Sequence, residues 1–129
     1  MLDVPTVVPA PAADVWDALV DTRTWSSWGP SVRGVELDPD TAPDAPRIST
    51  GARGRVVPPV GPPVPFEVTR VEPGERWDWE VLGVPVTGHR VEPLDPDRCR
   101  VVFEVPVWAA PYAAVCAVAG RRLRRLVAG

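Results

Sequence analysis

The sequence predicts an α+β fold: a curved antiparallel sheet of six to seven strands covered by one long C-terminal helix, with two short helices after the first strand. Three observations lead there. Val outnumbers Leu 24 to 7, and β-branched side chains pack well on pleated strands. Several segments alternate apolar and polar residues, as in a sheet wet on one side and covered on the other. The last segment carries the longest helical pattern. At 129 residues and 14.0 kDa the chain is expected to form one domain over residues 1–129.

The elements follow in order. Leu2 to Pro9 is Val-rich and reads as a strand broken by Pro5. Pro11 suits a helix start, because its missing N–H would have no partner there. Ala12 to Val20 places Val15, Trp16, Leu19 and Val20 at helical spacing, with Asp14 in the first turn. Asp21 or Thr22 caps a second, short helix carrying Trp25 and Trp28, ended by Gly29-Pro30. Strands are then expected at Ser31 to Leu37, Thr50 to Val57, Val64 to Val71, Glu75 to Leu82, Val84 to Leu94 and Cys99 to Val107. Pro58 to Pro63 lacks ladder N–H groups and reads as a rigid connection. In one strand Trp77, Trp79 and Val81 share a face; in the last, Cys99, Val101, Phe103, Val105 and Val107 do. Pro111 to Val127 is the long helix, with Tyr112, Val115, Cys116, Ala119, Leu123, Leu126 and Val127 on one side. Arg121, Arg122, Arg124 and Arg125 crowd its last turns, where positive charge suits the helix dipole.

Composition narrows the chemistry. The chain has no Lys, Asn or Gln; all fourteen basic residues are Arg. That removes a Lys Schiff base and any amide side chain in an oxyanion hole. One His and one Tyr are a thin supply of proton-transfer groups. A mixed net charge of −3 gives no footprint for nucleic acid. No apolar run is long enough to span a membrane. Cys99 and Cys116 match no metal spacing, so neither metal nor cofactor is expected, and reduced thiols in the cytoplasm are the economical reading.

The C-terminal helix is built in its middle from Ala113, Ala114, Ala117, Ala119 and Gly120. Facing Trp77, Trp79 and Phe103, such a helix leaves two outcomes open. The aromatics fill the gap as a solid core, or a cavity remains for an apolar ligand.

Several segments resemble one family. They are Val8 to Asp21, with Trp16 and Asp21; Thr24 to Pro30, with Trp25 and Trp28; Gly51 to Arg55; Val71 to Trp79; and Gly88 to Leu94 followed by Arg98 to Val101. In this order they resemble the polyketide cyclase/dehydrase-like branch of the START (SRPBCC) superfamily. The resemblance implies the helix-grip fold, a sheet curled around a long C-terminal helix with a cavity between them. It also implies binding of a hydrophobic small molecule, lipid- or polyketide-like.

Candidate ligand-binding residues are Trp25, Trp28, Arg53, Arg55, Trp79, His89, Phe103 and Tyr112. Each has a structural alternative. Trp25 and Trp28 also serve as anchors between helix and sheet. Trp77 reads as ordinary core. His89, on the face shared with Thr87 and Val91, holds a ligand oxygen or is a packed core residue. Arg53 and Arg55 share a face that points either inward, to meet a carboxylate or enolate, or out to water. Tyr112 aims its hydroxyl into the cavity or outward. Glu104 is expected to pair with Arg90 or Arg100.

The leading functional expectation is a carrier or sensor of a hydrophobic small molecule, monomeric or weakly dimeric. The alternative is a cyclase or dehydratase using the same cavity. Aromatic cyclases of this family carry a Tyr soon after the double-Trp segment; here that stretch is Ser31-Val32-Arg33-Gly34.

Overall fold

A computed structural model describes all residues 1–129. The chain runs β1 (Leu2–Val8), α1 (Ala12–Val20), a 3-10 turn (Thr22–Thr24), α2 (Trp25–Trp28), β2 (Gly34–Leu37), β3 (Arg53–Val57), β4 (Val64–Glu72), β5 (Arg76–Val81), β6 (Val84–Asp95) and β7 (Arg98–Val105). A 3-10 segment (Val107–Tyr112) then leads into α3 (Ala113–Ala128). The seven strands form one antiparallel sheet in the order β1-β7-β6-β5-β4-β3-β2. This is the helix-grip arrangement.

Local chemistry explains the elements. β1 lies at the sheet edge and pairs only with β7, so Pro5 is tolerated opposite Val102. Helix α1 starts after Pro11 and buries Val15, Trp16, Ala18, Leu19 and Val20. Asp21 caps the following turn by accepting from the Arg23 backbone N–H at 3.0 Å. Leu82 and Gly83 both have positive φ, 55° and 74°, and join β5 to β6 as a two-residue hairpin turn.

Helix α3 lies over the sheet through Cys116, Ala119, Gly120 and Leu123, all buried. Its approach to β1 is close: a Cβ on Gly120 would stand 2.2 Å from Thr6 Oγ1 and 3.1 Å from Thr6 Cβ. Only hydrogen fits there. Leu123, with no exposed surface, contributes about 2 kcal/mol of burial.

The outer face of the sheet carries an ionic network. Arg76 bonds Asp78 at 2.8 Å and Glu104 at 2.6 Å, and Arg90 joins Glu104 to Asp3, the latter at 3.1 Å. Glu104 thus pairs with Arg90 as one expectation had it. Arg100, the other candidate, goes to Glu92 at 3.3 Å instead.

Several boundaries differ from the sequence reading: the strands expected from Ser31 and Thr50 begin only at Gly34 and Arg53, and two further shifts bear on the site. The last strand stops at Val105, since Pro106 supplies no ladder N–H. Val107 therefore leaves the buried face and is 66% exposed. The long helix begins at Ala113 after a 3-10 segment kinked at Ala109, rather than at Pro111.

Candidate functional site

Between the concave face of the sheet and α3 lies a cavity of about 360 Å³. Of its 23 lining residues 16 are hydrophobic and none is Asp, Glu or Arg. The second helical segment supplies Trp25 and Trp28, the sheet supplies Trp77, Trp79, Thr87, His89 and Phe103, and α3 supplies Val115, Cys116 and Ala119. Both outcomes foreseen for the aromatics occur at once: they are packed against one another and they line a void.

The Trp polar ends are mostly spent on the protein. Trp25 Nε1 donates to the Leu19 carbonyl at 2.9 Å, Trp28 Nε1 to Thr24 Oγ1 at 3.2 Å and Trp79 Nε1 to Thr87 Oγ1 at 3.1 Å. Their ring surfaces remain for contact. Trp77, for which ordinary core is the preferred sequence reading, is buried, yet it also lines the cavity. Its ring lies between Trp25, parallel at 5.2 Å, and His89, parallel at 3.8 Å.

His89 is buried on β6 opposite Trp77. Its Nδ1 sits 3.2 Å from the Trp77 carbonyl oxygen. A carbonyl only accepts, so Nδ1 carries the proton of the neutral ring. Burial pulls its pKa down to about 4, against smaller opposing effects from the Trp77 carbonyl and, beyond the sheet, Asp78 and Glu104. The imidazole is therefore neutral at physiological pH.

A bulge sits beside it. Between the Asp78–Gly88 and Glu80–Pro85 pairs, β6 places Val86 and Thr87 against the single Trp79 of β5. Val86 and Thr87 consequently both line the cavity.

At the mouth, Ser31 and Tyr112 hydroxyls meet at 2.7 Å across 81 residues of sequence. This bond ties the loop after α2 to the segment before α3. Burial raises the Tyr112 pKa, and it pushes the Cys116 thiol up to about 11. Trp108, which also lines the cavity, is 68% exposed.

Of the sequence candidates, Trp25, Trp28, Trp79, His89, Phe103 and Tyr112 all line this one space. Arg53 and Arg55 do not. On β3 it is Val56 that turns inward, so alternation sends both arginines to the outer face. There Arg53 pairs with Glu67 at 3.2 Å and Arg55 with Glu36 at 3.4 Å. Thr87, Ser31 and Trp108 were not proposed from sequence. Thr87 was legible as the i−2 neighbour of His89 on one strand face; Ser31 and Trp108 lie in irregular segments with no periodicity to mark them.

No group of three or more His, Cys, Asp or Glu side chains is placed to hold a metal ion. No helix is long and apolar enough to cross a membrane.

Comparison with known proteins places this geometry. DynU16, a protein of the dynemicin biosynthetic locus, is 26% identical with a TM-score of 0.67 over 98% of this chain. This chain spans 46% of DynU16, just under half its length. Protein CV1439 from Chromobacterium violaceum is 18% identical, with a TM-score of 0.67 and 99% and 97% of the two chains covered. A protein from Bacillus thuringiensis is 10% identical, with a TM-score of 0.75 and 99% and 98% covered. The latter two likenesses are of fold alone. No curated protein matches the sequence. Residues 2–129 match the family described as polyketide cyclase / dehydrase and lipid transport, and the chain belongs to that family.

Proposed function

We propose that the protein binds a hydrophobic small molecule, lipid- or polyketide-like, and acts as its carrier or sensor. The observation that carries this reading is the cavity of about 360 Å³, walled by aromatic and aliphatic side chains and free of charged residues. Apolar walls with a few convergent polar groups are the usual make-up of a small-molecule site. Ligand contact is assigned to Trp25, Trp28, Trp79, His89, Phe103 and Tyr112.

Binding is favoured over cyclase or dehydratase turnover by the tuning of the polar groups. General acid–base catalysis works best with a pKa near the working pH. His89 stands at about 4 and Cys116 at about 11, and Tyr112 is raised above the ordinary phenol. None is matched to proton transfer near neutrality. Two free buried thiols support a reducing, cytoplasmic setting.

Native mass spectrometry of the purified protein tests the reading. A co-purifying apolar mass that is lost when Ala119→Trp fills the cavity is the expected result. A ligand-free spectrum, together with no uptake of an added apolar dye, overturns it.

A further inference from the structure

The polar groups of the cavity specify which functional group its ligand presents. We infer that the ligand is a neutral molecule bearing a hydroxyl, a phenol or an alcohol, whose O–H donates to His89 Nε2 while its oxygen accepts from the Thr87 hydroxyl. This rests on the cavity being the ligand site and names the class of molecule it takes.

The first support is the histidine tautomer. Nδ1 holds the ring proton against the Trp77 carbonyl, so Nε2 carries a lone pair. No protein group bonds Nε2, and His89 lines the cavity while only 4% exposed. Burial keeps the ring from charging, so it offers an acceptor and not a cation. Nε2 is thus an unpaired acceptor on the cavity wall; a ligand that covers it without supplying a donor would bury it unpaired, which is costly, and a ligand that supplies one is selected for that reason.

Thr87 supplies the complementary half. Its Oγ1 already accepts from Trp79 Nε1 at 3.1 Å, which leaves its own hydrogen to give. Thr87 and His89 are alternate residues of β6, about 6.6 Å apart along the strand. Both side chains face the same cavity, and the inferred ligand oxygen sits between them. A hydroxyl both donates and accepts; an ether or ketone fails at His89, and an ammonium or amide N–H fails at Thr87.

Charge provides an independent argument. None of the fourteen arginines lines the cavity, and Arg53 and Arg55, the cations nearest to hand in the sequence reading, are paired on the outer face. A fatty-acid carboxylate would enter with no counter-charge, which burial penalises heavily.

Isothermal titration with three probes of one shape tests this: 2-naphthol, 2-methoxynaphthalene and 2-naphthoate. In the unmodified protein 2-naphthol should bind about tenfold tighter than its methyl ether, the worth of a desolvated hydrogen bond, and 2-naphthoate should bind weakest. His89→Leu should bring the naphthol-to-ether ratio to about one while the ether still binds; Thr87→Val, a milder change that keeps the volume, should lower the ratio severalfold. Equal binding of naphthol and ether in the unmodified protein, tightest binding of naphthoate, or a ratio that survives His89→Leu each overturns the inference and leaves the cavity reading standing. Binding of none of the three overturns both.

Discussion

Lowering the pH from 7 to 5 should destabilise this protein by an amount set mainly by one residue. His89 is the only histidine, and its pKa drops from about 6.5 unfolded to about 4 folded. Between those values the unfolded chain binds a proton that the folded chain refuses, so stability falls as pH falls. Its contribution is fully present above about 6.5 and is lost as pH drops toward 4. Working the two binding curves between pH 7 and 5 gives a loss of about 2 kcal/mol. Asp21, held down by its bond to Arg23, and Asp95, held down by Arg98, titrate below this window. Among charged groups facing the ring through the sheet, Asp78 and Glu104 favour its protonation and Arg76 opposes it, all weaker than desolvation. Urea unfolding followed by far-ultraviolet circular dichroism provides the assay. With a slope of about 2 kcal/mol per molar, the midpoint should fall by about 1 M from pH 7 to pH 5, and a His89→Phe variant should lose most of that shift. A midpoint unchanged across this range, or an equal shift in the variant, refutes the reasoning.

Other outcomes follow from the same contacts. Leu82→Asn should raise stability by about 1 kcal/mol, because Leu82 sits at φ 55° in a turn that favours Asn; an unchanged thermal midpoint would count against strain there. Gly120→Ala should cost about 1–2 kcal/mol despite better helix propensity, since the new methyl meets Thr6 Cβ at 3.1 Å and no rotation of Thr6 relieves that. Tyr112→Phe removes the bond to Ser31 and should speed ligand release severalfold in stopped-flow displacement, with little effect on the melting temperature. Arg55→Ala severs an exposed ion pair with Glu36 and should change stability by less than about 0.5 kcal/mol, leaving ligand affinity as it was.

Much of the architecture is legible because it rests on periodicity. Alternation on β5 brings Trp77 and Trp79 inward, and helical spacing puts Cys116, Ala119 and Leu123 against the sheet. The long separations are not legible. Nothing local announces that Ser31 meets Tyr112, because their bond is made by the closing of the sheet around α3. The facing of β3 is marked only by Val56, with Gly54 beside it, so a five-residue strand carries too little pattern to orient Arg53 and Arg55. The β6 bulge at Val86 and Thr87 breaks alternation where it matters to the cavity. Pro106 did signal a strand end, yet the Val-rich run around it concealed where Val107 would go. Trp77 shows a different shortfall: a side chain can be buried and still form part of a cavity wall.

The stack of Trp25, Trp77 and His89 makes the molecule report on itself optically. Two parallel indoles with centroids 5.2 Å apart are close enough for their near-ultraviolet transitions to couple. An imidazole 3.8 Å from the Trp77 centroid lies within electron-transfer contact of the excited ring. Neutral, it quenches poorly; as imidazolium it accepts the electron and dims the emission. The share of the protein's emission that comes from Trp77 thus depends on the protonation of His89.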